Sequence, residues 1–172
     1  MANIARRLVM TGHDAAGVSR VISDQRISGI TGPAMPGSEV AQIWGSNAPL
    51  AYPDSGAMPA YSAFFPPLHG ARLVELYLPP HSTSYGAVTD DDPDSSAAPL
   101  AADRPGMHRT ASTDLIIVME GRVDCELDEE TVTLNAGDVL VQNGTIHAWF
   151  NPYAEPCRFL AAMVGAENNL CK

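Results

Sequence analysis

Glycine and proline, 14 of each in 172 residues, break this chain every few positions. Proline inside a helix removes a hydrogen bond and clashes with the preceding turn, and glycine there costs about 1 kcal/mol relative to alanine. No helical periodicity survives between the breaks. What lies between them are short runs rich in Val, Ile, Leu and aromatic side chains. Short strands closed by frequent turns build an all-β sandwich or barrel. Arg122–Asp128 is the plainest strand: Val123, Cys125 and Leu127 point one way, and Arg122, Asp124, Glu126 and Asp128 the other. That is the alternation of a half-solvated strand. The same reading places strands at Arg6–Met10, Gly17–Ile22, Val40–Trp44, Arg72–Leu78, Asp114–Met119, Thr131–Leu134, Val139–Gln142, Ile146–Asn151 and Cys157–Val164. Leu115–Met119 is apolar on both faces, which predicts a strand covered twice, by the N-terminal strands or by a second subunit.

The length suits one domain over residues 1–172, with N-terminal strands and an arm over 1–70. Ten Lys and Arg against 20 Asp and Glu give a net charge of -10. That balance argues against nucleic acid or an anionic membrane face as partner, since both reward clustered cations. No run is long and apolar enough to span a bilayer. After Arg6 and Arg7 only Leu8-Val9-Met10 precede Thr11, Gly12, His13 and Asp14, which is too short for the apolar core of a signal peptide, so the expected compartment is the cytoplasm. Cys125, Cys157 and Cys171 form no C-x-x-C pair, which speaks against a disulfide framework or a zinc knuckle.

Two stretches read as long loops: Pro49–Gly70, and His81–Pro105 with Asp90, Asp91, Asp92 and Asp94. The acidic cluster lacks the ligand spacing of a calcium loop and reads as solvated chain. Asn143-Gly144 between two alternating runs predicts a two-residue type I′ turn that pairs Val139–Gln142 with Ile146–Asn151 as a hairpin. His147 and Trp149 then share a face by the period of two. His108 and Asp114 are six residues apart, about 20 Å on a straight strand. They can meet only if the chain doubles back at Ala111-Ser112-Thr113. With that corner, His108, His147 and Asp114 can converge on one cavity, where two imidazoles and a carboxylate can hold a divalent ion. Without an ion, the same histidines can hydrogen-bond a ligand or move protons. Asp114 can equally cap backbone N–H groups at its corner, and Trp149 can stack on a flat substrate or simply fill the core.

The stretch Gly106–Asn151 resembles the conserved barrel of the cupin superfamily, in particular its small single-domain members. The first cupin motif is Gly, five residues, His-x-His, three or four residues, Glu, six residues, Gly. His108 takes the first His place, Thr110 the second, Asp114 the Glu place and Gly121 the closing Gly. The second motif is Gly, five residues, Pro-x-Gly, two residues, His, three residues, Asn; Gly137, Gly144, His147 and Asn151 match it, with Asn143 near the Pro place and the turn one residue shorter. Two of the four usual ligand places are changed, to Thr110 and Asp114, so the first motif is degenerate.

The resemblance implies a double-stranded β-helix, a jelly-roll barrel with N-terminal strands and long loops, expected as a homodimer. It implies a pocket lined by His108, Thr110, Asp114, His147 and Trp149, with Ile116, Val118, Val139 and Val141 as apolar walls; His81, at the end of the strand before the acidic loop, either leans over the mouth or is a solvent-exposed loop histidine. The implied metal ligands are His108, Asp114 and His147, for Fe, Mn, Ni or Zn. The implied catalytic groups are Thr110, Asp114 and His147. The expected function is an enzyme acting on a compact apolar or aromatic small molecule by lyase, decarboxylase, isomerase or dioxygenase chemistry. The alternative is a metal-free cupin that binds or senses a small molecule without catalysis.

Overall fold

The computed structural model describes residues 5–31, 37–52, 56, 63–83, 97–99 and 106–169. The acidic cluster Asp90–Asp94 and Cys171 lie outside the described residues. Every regular element described is a strand: β1 (Ala5–His13), β2 (Ser19–Ser28), β3 (Glu39–Ser46), β4 (Ala71–Leu78), β5 (Ser82–Thr83), β6 (Ala97–Pro99), β7 (His108–Thr110), β8 (Ser112–Glu120), β9 (Arg122–Glu126), β10 (Thr131–Asn135), β11 (Val139–Asn143), β12 (Ala148–Asn151) and β13 (Cys157–Gly165). All ten strands expected from the alternation are present with shifted ends, and β2 runs on to Ser28. The short β5, β6 and β7 have no apolar alternation and were not expected.

Two antiparallel sheets face each other, one in the order β10-β9-β12-β5 and one in the order β11-β8-β13-β4-β3. Their inner faces supply one core. Val123, Cys125, Leu134 and Trp149 come from the first sheet; Val74, Leu78, Ile116, Val118 and Phe159 come from the second. This is the double-stranded β-helix. Gly121 makes the tight link between β8 and β9 at φ +69°, where a Cβ would stand 2.1 Å from the Pro156 carbonyl oxygen, so only glycine fits.

The hairpin expected at Asn143-Gly144 does not form. β11 pairs with β8 in one sheet, whereas β12 pairs with β9 and β5 in the other. Gly144 has φ +60° and Asn143 does not share its positive φ, so the turn is not type I′. The chain crosses from sheet to sheet at this point, and His147 bridges His108 instead. The local hairpin signal loses to the requirement that each apolar face meet the opposite sheet.

That crossing also corrects two wall residues. Antiparallel partners share a face, and β11 is registered with Leu140 opposite Ile116 and Gln142 opposite Asp114. Leu140 and Gln142 therefore point inward, while Val139 and Val141 are 60% and 53% exposed on the outer face. Val141→Thr is expected to change the unfolding free energy by less than about 0.5 kcal/mol in a denaturant titration, as an exposed β-branched swap should.

Leu115, Ile117 and Met119 are exposed on the same outer face as Val139 and Val141, and no described residue of this chain covers them. The N-terminal β1–β2 ribbon meets this outer face farther along the sheet, at β4 and β13. Arg6 donates both its Nε and Nη2 to the Glu75 carboxylate of β4, at 2.5 and 2.8 Å, and Arg158 of β13 donates to the same group at 2.6 Å. Glu75 is buried between two guanidinium groups. A buried carboxylate is tolerated when its charge is paired and hydrogen-bonded in this way.

Candidate functional site: a barrel cavity with two adjoining imidazoles

Between the sheets lies a cavity of about 70 Å³, within a wider recess of about 660 Å³ counted out to solvent. Three segments bring its polar groups together. β7 carries His108 and Thr110, the bend at Ala111 turns the chain into β8 with Asp114, and the crossing after β11 delivers His147. The sheet crossing is held by backbone bonds in both directions: His108 N–H donates to the His147 carbonyl at 2.9 Å, and His147 N–H returns the bond at 3.0 Å. The two imidazoles consequently stand side by side, ring centres 4.3 Å apart.

Each ring is held the same way. His108 Nδ1 is 3.0 Å from the Gly106 carbonyl, and His147 Nδ1 is 2.9 Å from the Thr145 carbonyl. A carbonyl only accepts, so Nδ1 bears the proton in both rings and Nε2 keeps its lone pair. Burial holds His108 below the ordinary imidazole range. Burial first, and the neighbouring His108 second, push His147 down to about 3. Both rings are neutral at pH 7.

Beside them runs a short relay. The Ser112 hydroxyl donates to Asp114 Oδ1 at 2.7 Å, and Thr110 Oγ1 is 2.7 Å from Ser112 Oγ. Burial raises the Asp114 carboxyl to about 6, against the lowering effect of the Ser112 hydroxyl. Apolar walls come from Val40, Phe65, Val74, Ile116, Phe159 and Met163, with Trp149 between His147 and Phe159.

The structure thus brings His108, Thr110, Asp114, Ile116, His147 and Trp149 to one cavity. It places others elsewhere. Val118 is core beside the cavity rather than wall, and Val139 and Val141 face outward. His81 is not at the mouth: it is exposed, at φ 53°, with Nδ1 3.0 Å from the Pro152 carbonyl, because β5 belongs to the far edge of the four-stranded sheet. Sequence reading missed Gln142, which is buried on the cavity wall opposite Asp114. Its signal was its position as the polar member of the apolar run Val139-Leu140-Val141-Gln142. Asn151 takes no part in the cavity; its side chain ties four backbone groups at the end of β12.

A catalytic divalent ion takes about three protein ligands and keeps a position for water or substrate. Among the described residues no three His, Cys, Asp or Glu side chains stand together closely enough to hold one. The two free Nε2 atoms are a donor pair, but Asp114 is turned to Ser112. As arranged, the donor set falls one short of the site expected from His108, Asp114 and His147.

Fold and cavity together are those of a cupin-like barrel. Residues 99–163 match the family described as Cupin domain, which supports a small cupin-family protein. Over 64 residues it is 44% identical to Phomopsin biosynthesis cluster protein C' of Diaporthe leptostromiformis, covering 34% of each chain. Over 49 residues it is 43% identical to Oryzines biosynthesis cluster protein J of Aspergillus oryzae, covering 28% of this chain and 27% of that one. The match spans about a third or less of the length of these curated relatives. Among solved structures, it is similar to a putative ethanolamine utilization protein from Salmonella typhimurium at TM-score 0.47 and 12% identity, over 94% of this chain and 98% of that one. It is also similar to an RmlC-like cupin family protein from Methanocaldococcus jannaschii at TM-score 0.41 and 11% identity, over 58% of this chain and 73% of that one. Among the described residues, no helix is long and apolar enough to cross a membrane.

Proposed function

We propose that the protein is a small-molecule enzyme that moves protons within the barrel cavity, on a compact ligand with an apolar body. The observation that carries this reading is the neutral, Nδ1-anchored imidazole pair beside a buried carboxyl raised to about 6. A group whose pKa lies near the working pH is the best general acid or base, and Asp114 is that group. His108 and His147 present lone pairs that orient the ligand's polar end. Thr110 and Ser112 hold the carboxyl in place and pass hydrogen bonds to it. Proton abstraction and return of this kind serves isomerase, lyase and decarboxylase chemistry. The curated relatives are proteins of biosynthesis clusters, which supports a small organic molecule as ligand.

A second reading keeps a divalent ion, and the two free Nε2 atoms favour it. It requires Asp114 to turn away from Ser112 to complete the set. Elemental analysis separates the two. After dialysis against Mn, Fe, Ni or Zn, the first reading expects far less than one ion per chain. Near-stoichiometric uptake that disappears in both His108→Ala and His147→Ala would establish the second. A protein that takes up no ion and binds no small molecule would end both.

A further inference from the structure

We infer that the ligand is a hydrogen-bond donor: a compact apolar molecule bearing hydroxyl or ammonium N–H groups rather than a carboxylate or phosphate. This rests on the cavity's being the ligand site, as proposed above, and goes further by fixing the polarity of what enters it.

The inference follows from where each polar proton is already spent. His108 and His147 commit their Nδ1 protons to the Gly106 and Thr145 carbonyls, so each offers the cavity a lone pair. Ser112 commits its single hydroxyl proton to Asp114 Oδ1. In the 2.7 Å contact between Thr110 and Ser112, the proton must then come from Thr110. That leaves Thr110 Oγ1 with lone pairs only. The second carboxylate oxygen of Asp114 is likewise an acceptor.

Gln142 is the independent observation. Its residue is 3% exposed, it lines the cavity, and its Nε2 donates to Thr145 Oγ1 at 3.3 Å. Its Oε1 is buried with no hydrogen-bond partner. A buried amide oxygen left unpaired destabilises a fold, and native proteins hold such groups where a partner arrives in the working state. Five acceptor side chains line the cavity, Trp149 and Phe159 add their rings beside His147, and no Lys or Arg is among the described lining residues. An entering carboxylate would meet lone pairs and lose its hydration without a cation to replace it. A hydroxyl or ammonium group would satisfy Gln142 Oε1 and an imidazole Nε2 at once.

Three probes of one ring size test this on the full chain treated with chelator: phenol, toluene and benzoate, titrated at pH 7.5 and followed by NMR shifts of the histidine ring nitrogens. Phenol is expected to bind about fivefold or more tighter than toluene or benzoate, the factor one good hydrogen bond confers. In Gln142→Leu the preference of phenol over toluene narrows at least about twofold, while the melting temperature holds or rises because an unpaired buried group is gone. Gln142→Met serves if the leucine variant does not fold. Benzoate binding as tightly as phenol would show that the wall donates, as a reversed Gln142 amide would make it, and would overturn the inference while the cavity remained a ligand site. An undiminished phenol preference in both Gln142 variants would overturn the role given to Gln142. If none of the three binds, toluene included, the cavity is no ligand site and the proposed function falls with the inference.

Discussion

Asn151→Ala is expected to destabilise the protein by about 3 kcal/mol, with a melting temperature lower by roughly 10 °C, because about 1 kcal/mol is lost for each hydrogen bond removed in a buried place. With two hydrogens on Nδ2 and one accepting oxygen, the Asn151 side chain makes the equivalent of three such bonds to four backbone groups, one hydrogen being shared between two carbonyls. Its Nδ2 donates to the carbonyls of Leu78, Pro79 and Glu155 at 3.2, 3.0 and 2.8 Å, and its Oδ1 accepts from Tyr153 N–H at 3.1 Å. Those partners lie at the ends of β4 and β12 and in the turn that leads to β13, so one amide fastens the seam between the two sheets. Alanine leaves carbonyls unpaired in a place where the residue is fully buried. Asn151→Asp keeps the acceptor, loses the donors and is expected to cost nearly as much. Equilibrium denaturation reads both. A cost below about 1 kcal/mol together with loss of phenol binding would mean that Asn151 serves the cavity rather than the seam.

What the sequence made legible follows from what is local. Alternation in Arg122–Asp128 reports a face directly, since the side-chain period of a strand is fixed by covalent geometry, and β9 begins at Arg122 as expected. The motif glycine at Gly121 is explained by a single backbone contact with Pro156. The gathering of His108, Thr110, Asp114 and His147 was also legible, because motif order encodes it. The bend at Ala111 lets the first three share a cavity, where a straight strand would have held His108 and Asp114 apart. What failed was parity and partner. In Val139-Leu140-Val141-Gln142, hydrophobicity suggested valines inside; the β8 register puts Leu140 and Gln142 inside instead. A strand apolar on both faces carries no parity signal, and only its partner supplies one. The Asn143-Gly144 hairpin failed for a related reason: a turn signal states that the chain reverses, not which sheet it enters next. His81 was placed by proximity in sequence to the end of β4, but its own left-handed backbone turns it to the Pro152 carbonyl.

Asp114→Asn is expected to stabilise the protein above pH 7 by about 3 kcal/mol, while making it more acid-sensitive. A carboxyl that folding raises above its ordinary range costs the ionised protein about 1.4 kcal/mol for every pH unit of the rise. The folded state holds this carboxyl at about 6, against an ordinary value of 3.8. Its ionised form is therefore penalised: the penalty is present in full above about pH 6, and it is relieved as pH falls toward 3.8, below which both states are protonated. Asp114 alone makes stability rise with acidification across that window. His147 does the reverse. Its folded value near 3 lies below the imidazole value of 6.5, so below pH 6.5 the unfolded chain takes up a proton that the folded one refuses, and stability is lost down to about pH 3. His108, also lowered by burial, adds to that loss. Between pH 6 and 4 the carboxyl thus offsets one imidazole. Removing it should steepen the fall by about 1.4 kcal/mol per pH unit relative to the unsubstituted protein. Denaturant titrations at pH 8, 6, 5 and 4 in chelator measure both effects. Parallel stability curves for the two proteins would show that Asp114 does not titrate in this range, and Asp114 would then lose its place as the acid–base group of the cavity.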